Sequence, residues 1–218
     1  MPSLVRHLAL LLACPLLGTP VLAETPVDVA LVLAVDASGS IDPAEFQLQK
    51  EGIAGAVTHE VVLQAVTSGP NRRIAVAYVE WGSPGQAETV VNWMFVEDKA
   101  SAERFARAVL AAPRSLQSYN AIGDAITHGT ALIAACPCRP VKSVIDISGD
   151  NPDNRSRTPA IMAREAAAAR GITVNALAVL EGDRTASSGK PWLVDVYERQ
   201  VIAGPGAFVI AARDRADF

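Results

Sequence analysis

Histidine, cysteine and long apolar runs are all scarce in this chain, and each shortage removes a class of function. Of 218 residues only three are His. His59 and His128, the two beyond the N-terminal segment, fall in helix-like stretches, and neither belongs to an H-E-x-x-H pair, so a positioned acid or base is missing. A lone His on a helix reads as a solvated or packed side chain. Three Cys, without further ligands at metal-site spacing, do not make a zinc site. No G-x-G-x-x-G or phosphate loop follows the first strand-like run, which removes nucleotide binding, and no G-x-S-x-G elbow surrounds Ser38 or Ser148. Basic clusters are also lacking: 19 Lys and Arg against 23 Asp and Glu leave a net charge of −4. The electrostatic footprint of a nucleic-acid binder is therefore absent.

What remains describes a globular chain. Half of the residues are hydrophobic and 19% are charged, enough for one well-buried core. Residues 1–23 read as a signal peptide, with Arg6 and His7 as the basic start, Leu8 to Leu17 as the apolar stretch and Val21-Leu22-Ala23 before the cleavage point. That stretch is shorter than the ~20 residues of a membrane span. The expectation is a mature chain of residues 24–218 forming one domain, periplasmic or secreted, with no membrane span. Leu11-Leu12-Ala13-Cys14 offers a second reading as a lipoprotein box. In an oxidising compartment Cys136-Pro137-Cys138 either closes a small disulfide ring or leaves two idle thiols in a helix-to-strand loop.

Apolar runs and helical patterns alternate along the mature chain. Val27 to Val35 is a continuous run of the kind that forms a strand covered on both faces. Asp42-Pro43-Ala44-Glu45 supplies an N-cap, a proline at the first helical position and a capping-box acid. One long helix is expected from there, with Phe46, Ile53, Val57 and Val61 on one face. Arg73 to Trp81 and Thr89 to Val96 are strands joined as an antiparallel hairpin by Gly82-Ser83-Pro84-Gly85-Gln86. Helices follow through Ala102–Leu110 and Ala121–Ile133. A strand from Val141 to Ser148, a helix from Thr158-Pro159 to Gly171, a strand from Ile172 to Leu180, a helix near Pro191–Ile202 and a strand at Ala207–Ala211 complete the order. Strands separated by single helices require an α/β, three-layer, doubly wound and mostly parallel sheet, here with one antiparallel edge strand. Trp81, Trp93 and Trp192, in or beside strands and helices, read as core before they read as a binding surface.

Binding crevices in such sheets lie beyond the carboxyl ends of the strands, and Asp36-Ala37-Ser38-Gly39-Ser40 stands at one of them. Side chains at i, i+2 and i+4 of an extended segment share a side. Asp36, Ser38 and Ser40 can then converge as a hard oxygen site suited to Mg²⁺, Mn²⁺ or Ca²⁺. Alternatively, they only cap the helix that starts near Asp42. A second carboxylate, Asp150, follows the strand Val141–Ser148 at the same edge. Asp146 sits inside that strand and is expected to point away from the edge, while Asp124 is expected to be an exposed first-turn acid favoured by the helix dipole.

With D-x-S-x-S after the first strand, Asn120-Ala121-Ile122-Gly123-Asp124-Ala125-Ile126 entering a helix, and Val144-Ile145-Asp146-Ile147-Ser148-Gly149-Asp150, the chain resembles the von Willebrand factor type A superfamily. The likeness runs from Asp28 to about Ala212 and is strongest to a bacterial branch described only as domain-of-unknown-function 1194. It implies a Rossmann-like fold and a metal-ion-dependent adhesion site in which Ser38 and Ser40 bind the metal directly, with Asp36 and Asp150 binding directly or through water. The family's threonine is replaced by Asn120, whose amide oxygen is a neutral ligand, and Ser118 is a nearby substitute. The cofactor implied is Mg²⁺, with Mn²⁺ or Ca²⁺ possible. The implied partner is a protein presenting an Asp or Glu carboxylate to the metal, and Asn151–Ser156 is the segment expected to set specificity. A metal-free interaction scaffold is the alternative, favoured by Asn120. A metal-dependent hydrolase comes after it, because no base or acid stands ready. The family's final helix has no room in Arg213–Phe218, which would leave a flank of the sheet open for an oligomer or partner contact.

Overall fold

The computed structural model describes residues 24–180, 182, 184–213 and 217. The signal peptide expected at residues 1–23 lies outside the described residues, as do positions 214–216 and 218 of the C-terminal segment. Twelve elements follow in order: β1 (Thr25–Asp36), α1 (Pro43–Thr58), α2 (Glu60–Ser68), β2 (Ile74–Trp81), β3 (Glu88–Val96), α3 (Lys99–Ala111), α4 (Ile122–Ala134), β4 (Cys138–Gly149), α5 (Ala160–Ala168), β5 (Ile172–Val179), α6 (Trp192–Gln200) and β6 (Val209–Ala212). They build one sheet of order β3-β2-β1-β4-β5-β6. Every neighbouring pair is parallel except β2 and β3, so the doubly wound sheet with an antiparallel edge strand holds as expected.

Alternation along the strands sorts side chains into the two outer layers. Val32, Ala34, Val79, Trp81, Ile145, Ile147 and Val174 face α4, α5 and α6. Val35, Val76 and Tyr78 face α1, α2 and α3, where Ile53, Val57 and Phe105 meet them. Both faces of β1 are covered, which is why its sequence is an unbroken apolar run. Trp81 is completely buried. Trp93 packs at the rim and donates from Nε1 to the Leu132 carbonyl at 3.2 Å. Beside α1 the sheet leaves an open groove of about 300 Å³ lined by Leu33, Val35, Leu177, Phe208 and Ile210, with Asp146 and Asn175 hydrogen-bonded at 2.9 Å in its wall.

Three local expectations change. The long helix after Asp42 is two helices, broken at His59, whose backbone is extended and whose Nδ1 accepts from the Val61 N–H at 3.3 Å. His59 is thus a cap for α2, and Val61 is 64% exposed rather than on the buried face. β4 starts at Cys138 because Thr25, Pro26 and Val27 extend its parallel pairing backwards. Cys136 and Cys138 form a disulfide within a small cluster that includes Val27, Ala30 and Phe95. Among the described residues no helix is long and apolar enough to cross a membrane.

Candidate functional site

Parallel register delivers three strand ends to one edge. Asp36 stands opposite Trp81 and Val35 opposite Ser148, so the loops after β1, β2 and β4 leave side by side. The Ala37 N–H donates to the Trp81 carbonyl at 2.9 Å, extending the ladder one residue beyond β1. Asp42 then caps α1 through the Ala44 and Glu45 N–H groups, and Glu45 returns a bond to the Asp42 N–H. The acid of the turn and the acid of the cap are therefore different residues. Asp36 and the two serines are left for other work.

Four of the five expected ligands form one connected cluster. Asp36 Oδ1 accepts the Ser38 N–H at 2.8 Å. Ser38 Oγ lies 3.1 Å from Ser40 Oγ, and Ser40 Oγ donates to Asp150 Oδ2 at 3.2 Å. Asn151 Nδ2 donates to Asp150 Oδ1 at 2.8 Å. Asp36 and Ser38 are fully buried and Asp150 is nearly so, while Ser40 is exposed at the mouth. Burial, with the charge of Asp150 added to it, pushes the Asp36 carboxyl up to about 8. Its Oδ2 is buried and accepts no hydrogen bond.

Asn120 joins this cluster less directly. Its backbone is pinned to the following loop, donating to Asn154 Oδ1 at 3.4 Å and accepting from the Asn154 N–H at 2.8 Å. Its side-chain Oδ1 is buried without a partner, and no hydrogen bond ties it to the other four residues. Ser118 is exposed, and its N–H donates to Ser83 Oγ at 3.0 Å. Close backbone approach brings this loop in: a Cβ on Gly82 would lie 2.8 Å from both Gln117 Cβ and the Tyr119 carbonyl, and 3.3 Å from Ser38 Cα. Gly149 serves β4 similarly, since a Cβ there would come within 2.7 Å of the Tyr197 hydroxyl. That hydroxyl donates to the Asn151 carbonyl at 2.9 Å, fixing the chain just past Asp150.

Two acids take places the sequence reading did not give them. Asp124 is not an exposed first-turn acid: it is 8% exposed and accepts from the backbone N–H groups of Gly85, Arg157 and Thr158. It is a brace between the β2–β3 turn and the loop before α5, because those segments cross over the start of α4. Asp146 points into the open groove, as expected for a residue turned from the edge, and burial holds its carboxyl above the usual range. His128 is half-buried against Thr89 Oγ1 at 2.8 Å, and burial lowers its pKa.

Sequence reasoning missed Arg114. Its guanidinium lies 4.6 Å from the Phe46 ring centroid and donates to the carbonyls of Ala37 at 2.9 Å and Ser38 at 2.8 Å. Next to it, the Ser115 N–H donates at 2.6 Å to fully buried Glu80. A cation on those carbonyls fixes the loop that carries Asp36 and Ser38. The one available signal was an arginine flanked by proline and serine between two helices, which no spacing rule singles out.

The oxygen donors present fit a hard divalent cation. Carboxylate, hydroxyl and amide oxygens are the ligand types such ions take, and two of them, Asp36 Oδ2 and Asn120 Oδ1, are buried without a hydrogen-bond partner. Among the described residues no group of three His, Cys, Asp or Glu side chains is placed to hold a metal, so any ion here would depend on the serines and the amide.

Comparisons with known proteins agree with the fold. Proximal thread matrix protein 1 from the mussel byssus is 18% identical over 87% of this chain and 43% of its own, with a TM-score of 0.59. The same protein was also solved with a zinc-occupied MIDAS motif, at a TM-score of 0.58. The pilus adhesin SpaC from Lactobacillus rhamnosus GG is 15% identical over 88% of this chain and 29% of its own, with a TM-score of 0.62. A von Willebrand factor type A structure from Catenulispora acidiphila is 18% identical over 88% and 40%, with a TM-score of 0.56. This chain spans less than half the length of each of these structures. No curated protein matches. A family model described as "Protein of unknown function (DUF1194)" matches residues 26–218. The chain belongs to that family, and its fold is that of the von Willebrand factor type A superfamily.

Proposed function

We propose that this protein binds a divalent cation, Mg²⁺ first, through Asp36, Ser38, Ser40 and Asp150 with Asn120 completing the set, and that the bound ion takes a carboxylate from a partner protein. The observation that carries the reading is Asp36: a fully buried carboxylate forced beside Asp150, with one oxygen lacking any partner. Two acids buried together repel each other and lose hydration, and a divalent cation offsets both costs. When bound, the ion supplies a Lewis-acidic centre for an incoming acidic group. This chain's residues set the rest: Arg114 and Tyr197 hold the loops still, and Ser40 marks the exposed side. The zinc-occupied MIDAS motif of the mussel protein supports a divalent ion in a chain of this fold. The Cys136–Cys138 disulfide supports work in an oxidising compartment outside the cytoplasm. Binding rather than turnover is the activity proposed.

Isothermal titration of Mg²⁺, Mn²⁺ and Ca²⁺ into the wild type, Asp36→Asn and Asp150→Asn tests this. One saturable site in the wild type, lost in both variants, is expected. A folded wild type that takes up none of the three ions at millimolar concentration overturns the metal reading. That result would favour the metal-free interaction scaffold, for which the separation of Asn120 from the hydrogen-bonded cluster speaks.

A further inference from the structure

Two arginine–aromatic pairs stand beside residues of the oxygen cluster. In the first, the Arg184 guanidinium lies 3.7 Å from the Trp192 ring centroid. This pair and Asp150 line a cavity of about 140 Å³, whose walls also include Asn151 and Leu193. In the second, the Arg155 guanidinium lies 5.5 Å from the ring of Tyr119, the residue before Asn120.

Among the described residues, neither guanidinium is tied up in the fold. Arg73, Arg107, Arg199 and Arg213 form ion pairs, and Arg114 and Arg164 donate to carbonyls. Arg155 and Arg184 are exposed and, among the described residues, their side chains have no hydrogen bond or ion pair. A neighbouring ring steadies an arginine's side chain without using its N–H groups, which stay able to receive a carboxylate with two parallel bonds. Arg155 also sits at φ 64°, a conformation that disfavours a side chain. Such strain persists only where surrounding contacts enforce it. Here the neighbouring Asn154 does so, by bonding both the N–H and the carbonyl of Asn120. The loop therefore holds Arg155 next to Asn120 at a local conformational cost.

We propose that these two pairs are the side walls of a docking surface for an acidic protein segment, in which one carboxylate goes to the oxygen cluster and carboxylates on either side of it go to Arg155 and Arg184. This rests on the cation reading above and extends it from a single acidic residue to a run of them. It also commits the surface to charge: on a chain with a net −4, an acidic segment gains most where exposed arginines and a bound cation gather. Tyr, Trp and Arg are the side chains that dominate the energetics of protein interfaces.

The test uses two fluorescein-labelled peptides in the presence of Mg²⁺, hexaglutamate and Gly-Gly-Glu-Gly-Gly, with binding followed by anisotropy. Proteins compared are the wild type, Arg155→Ala, Arg184→Ala, the double variant, and Arg139→Ala as an exposed control at the opposite end of β4. All substitutions are at exposed residues, and Mg²⁺ titration of each protein runs alongside. The expected result is hexaglutamate binding at least tenfold tighter than the single-acid peptide. It should weaken at least fivefold in each single variant and further in the double, and be unchanged in Arg139→Ala. Unaltered Mg²⁺ uptake with hexaglutamate binding indifferent to both arginines, or equal affinity for the two peptides, overturns the docking surface and leaves the cation site standing. Hexaglutamate binding that is lost in the double variant while no protein takes up Mg²⁺ removes the cation and keeps the acidic docking surface.

Discussion

Removal of the Asp124 carboxylate tests the architecture around the site most directly. Asp124→Ala strips the acceptor from three backbone N–H groups: Gly85 at 2.7 Å, Arg157 at 3.0 Å and Thr158 at 3.2 Å. A donor left without its partner in a buried setting costs about 1–3 kcal/mol. At 8% exposure Asp124 lies close enough to the surface for water to reach part of the gap. The loss should then sit toward the lower end, about 3–4 kcal/mol in all. For a domain of this size that lowers Tm by roughly 6–16 °C. Asp124→Asn keeps the shape but turns an NH₂ group toward at least one of the donors, so it should lose about half as much. Urea denaturation followed by far-UV circular dichroism measures the stability of both variants, and amide exchange at Gly85, Arg157 and Thr158 locates the change. A loss below about 1 kcal/mol for Asp124→Ala, the level of an ordinary surface substitution, would refute the brace. It would return Asp124 to the role of a helix-terminal acid.

Other outcomes follow from the same geometry. Without divalent cations, stability should fall as pH rises from about 4 toward 8: across that interval native Asp36 keeps a proton, its carboxyl being pushed up to about 8, which the unfolded chain has released. Asp36→Asn should flatten that slope, and urea midpoints measured at several pH values decide it. The raised carboxyl of Asp146 acts in the same sense, so a residual slope should remain in Asp36→Asn and shrink further when Asp146→Asn is added. Arg114→Met keeps the stem over Phe46 but releases the carbonyls of Ala37 and Ser38, and should cost about 2–4 kcal/mol. It should also weaken Mg²⁺ uptake in calorimetry; unchanged uptake would deny Arg114 its hold on the loop. Tyr197→Phe removes only the hydroxyl bonded to Asn151. It should cost about 1–2 kcal/mol in denaturant, with a native circular dichroism spectrum.

The order of strands and helices was legible because each strand buried on both faces leaves an unbroken apolar run, as Val27 to Val35 does, and each amphipathic helix leaves its own period. The start of α1 was legible in Asp42, Pro43 and Glu45, whose bonds form as their spacing suggests. Its end was not: His59 interrupts the helix through an extended backbone and a ring nitrogen cap, and neither glycine nor proline marks the place. The extension of β4 back to Cys138 comes from pairing with Thr25–Val27, a partnership across more than a hundred positions that no local window contains. The same limit applied to the site. Asp36, Ser38 and Ser40 announce themselves at alternate positions, and Asp150 follows a strand of its own. Asp124 and Arg114 gain their roles from backbone groups of distant loops, and their own neighbours in sequence say nothing of it.

β1 occupies an inner position of the sheet, between β2 and β4, although it comes first of the sheet's strands in chain order. Its pairing with β4 joins positions such as Leu31 and Val144, and Ser40 meets Asp150 across 110 residues. Contacts of such long range make folding slow, because chain entropy is surrendered before they form. A nascent chain halted anywhere before Gly149 holds β1 with one edge unsatisfied and the oxygen cluster incomplete. A chain truncated before Asp150 should therefore lack the complete oxygen cluster, and with β1 unpaired along one edge it should be prone to aggregate.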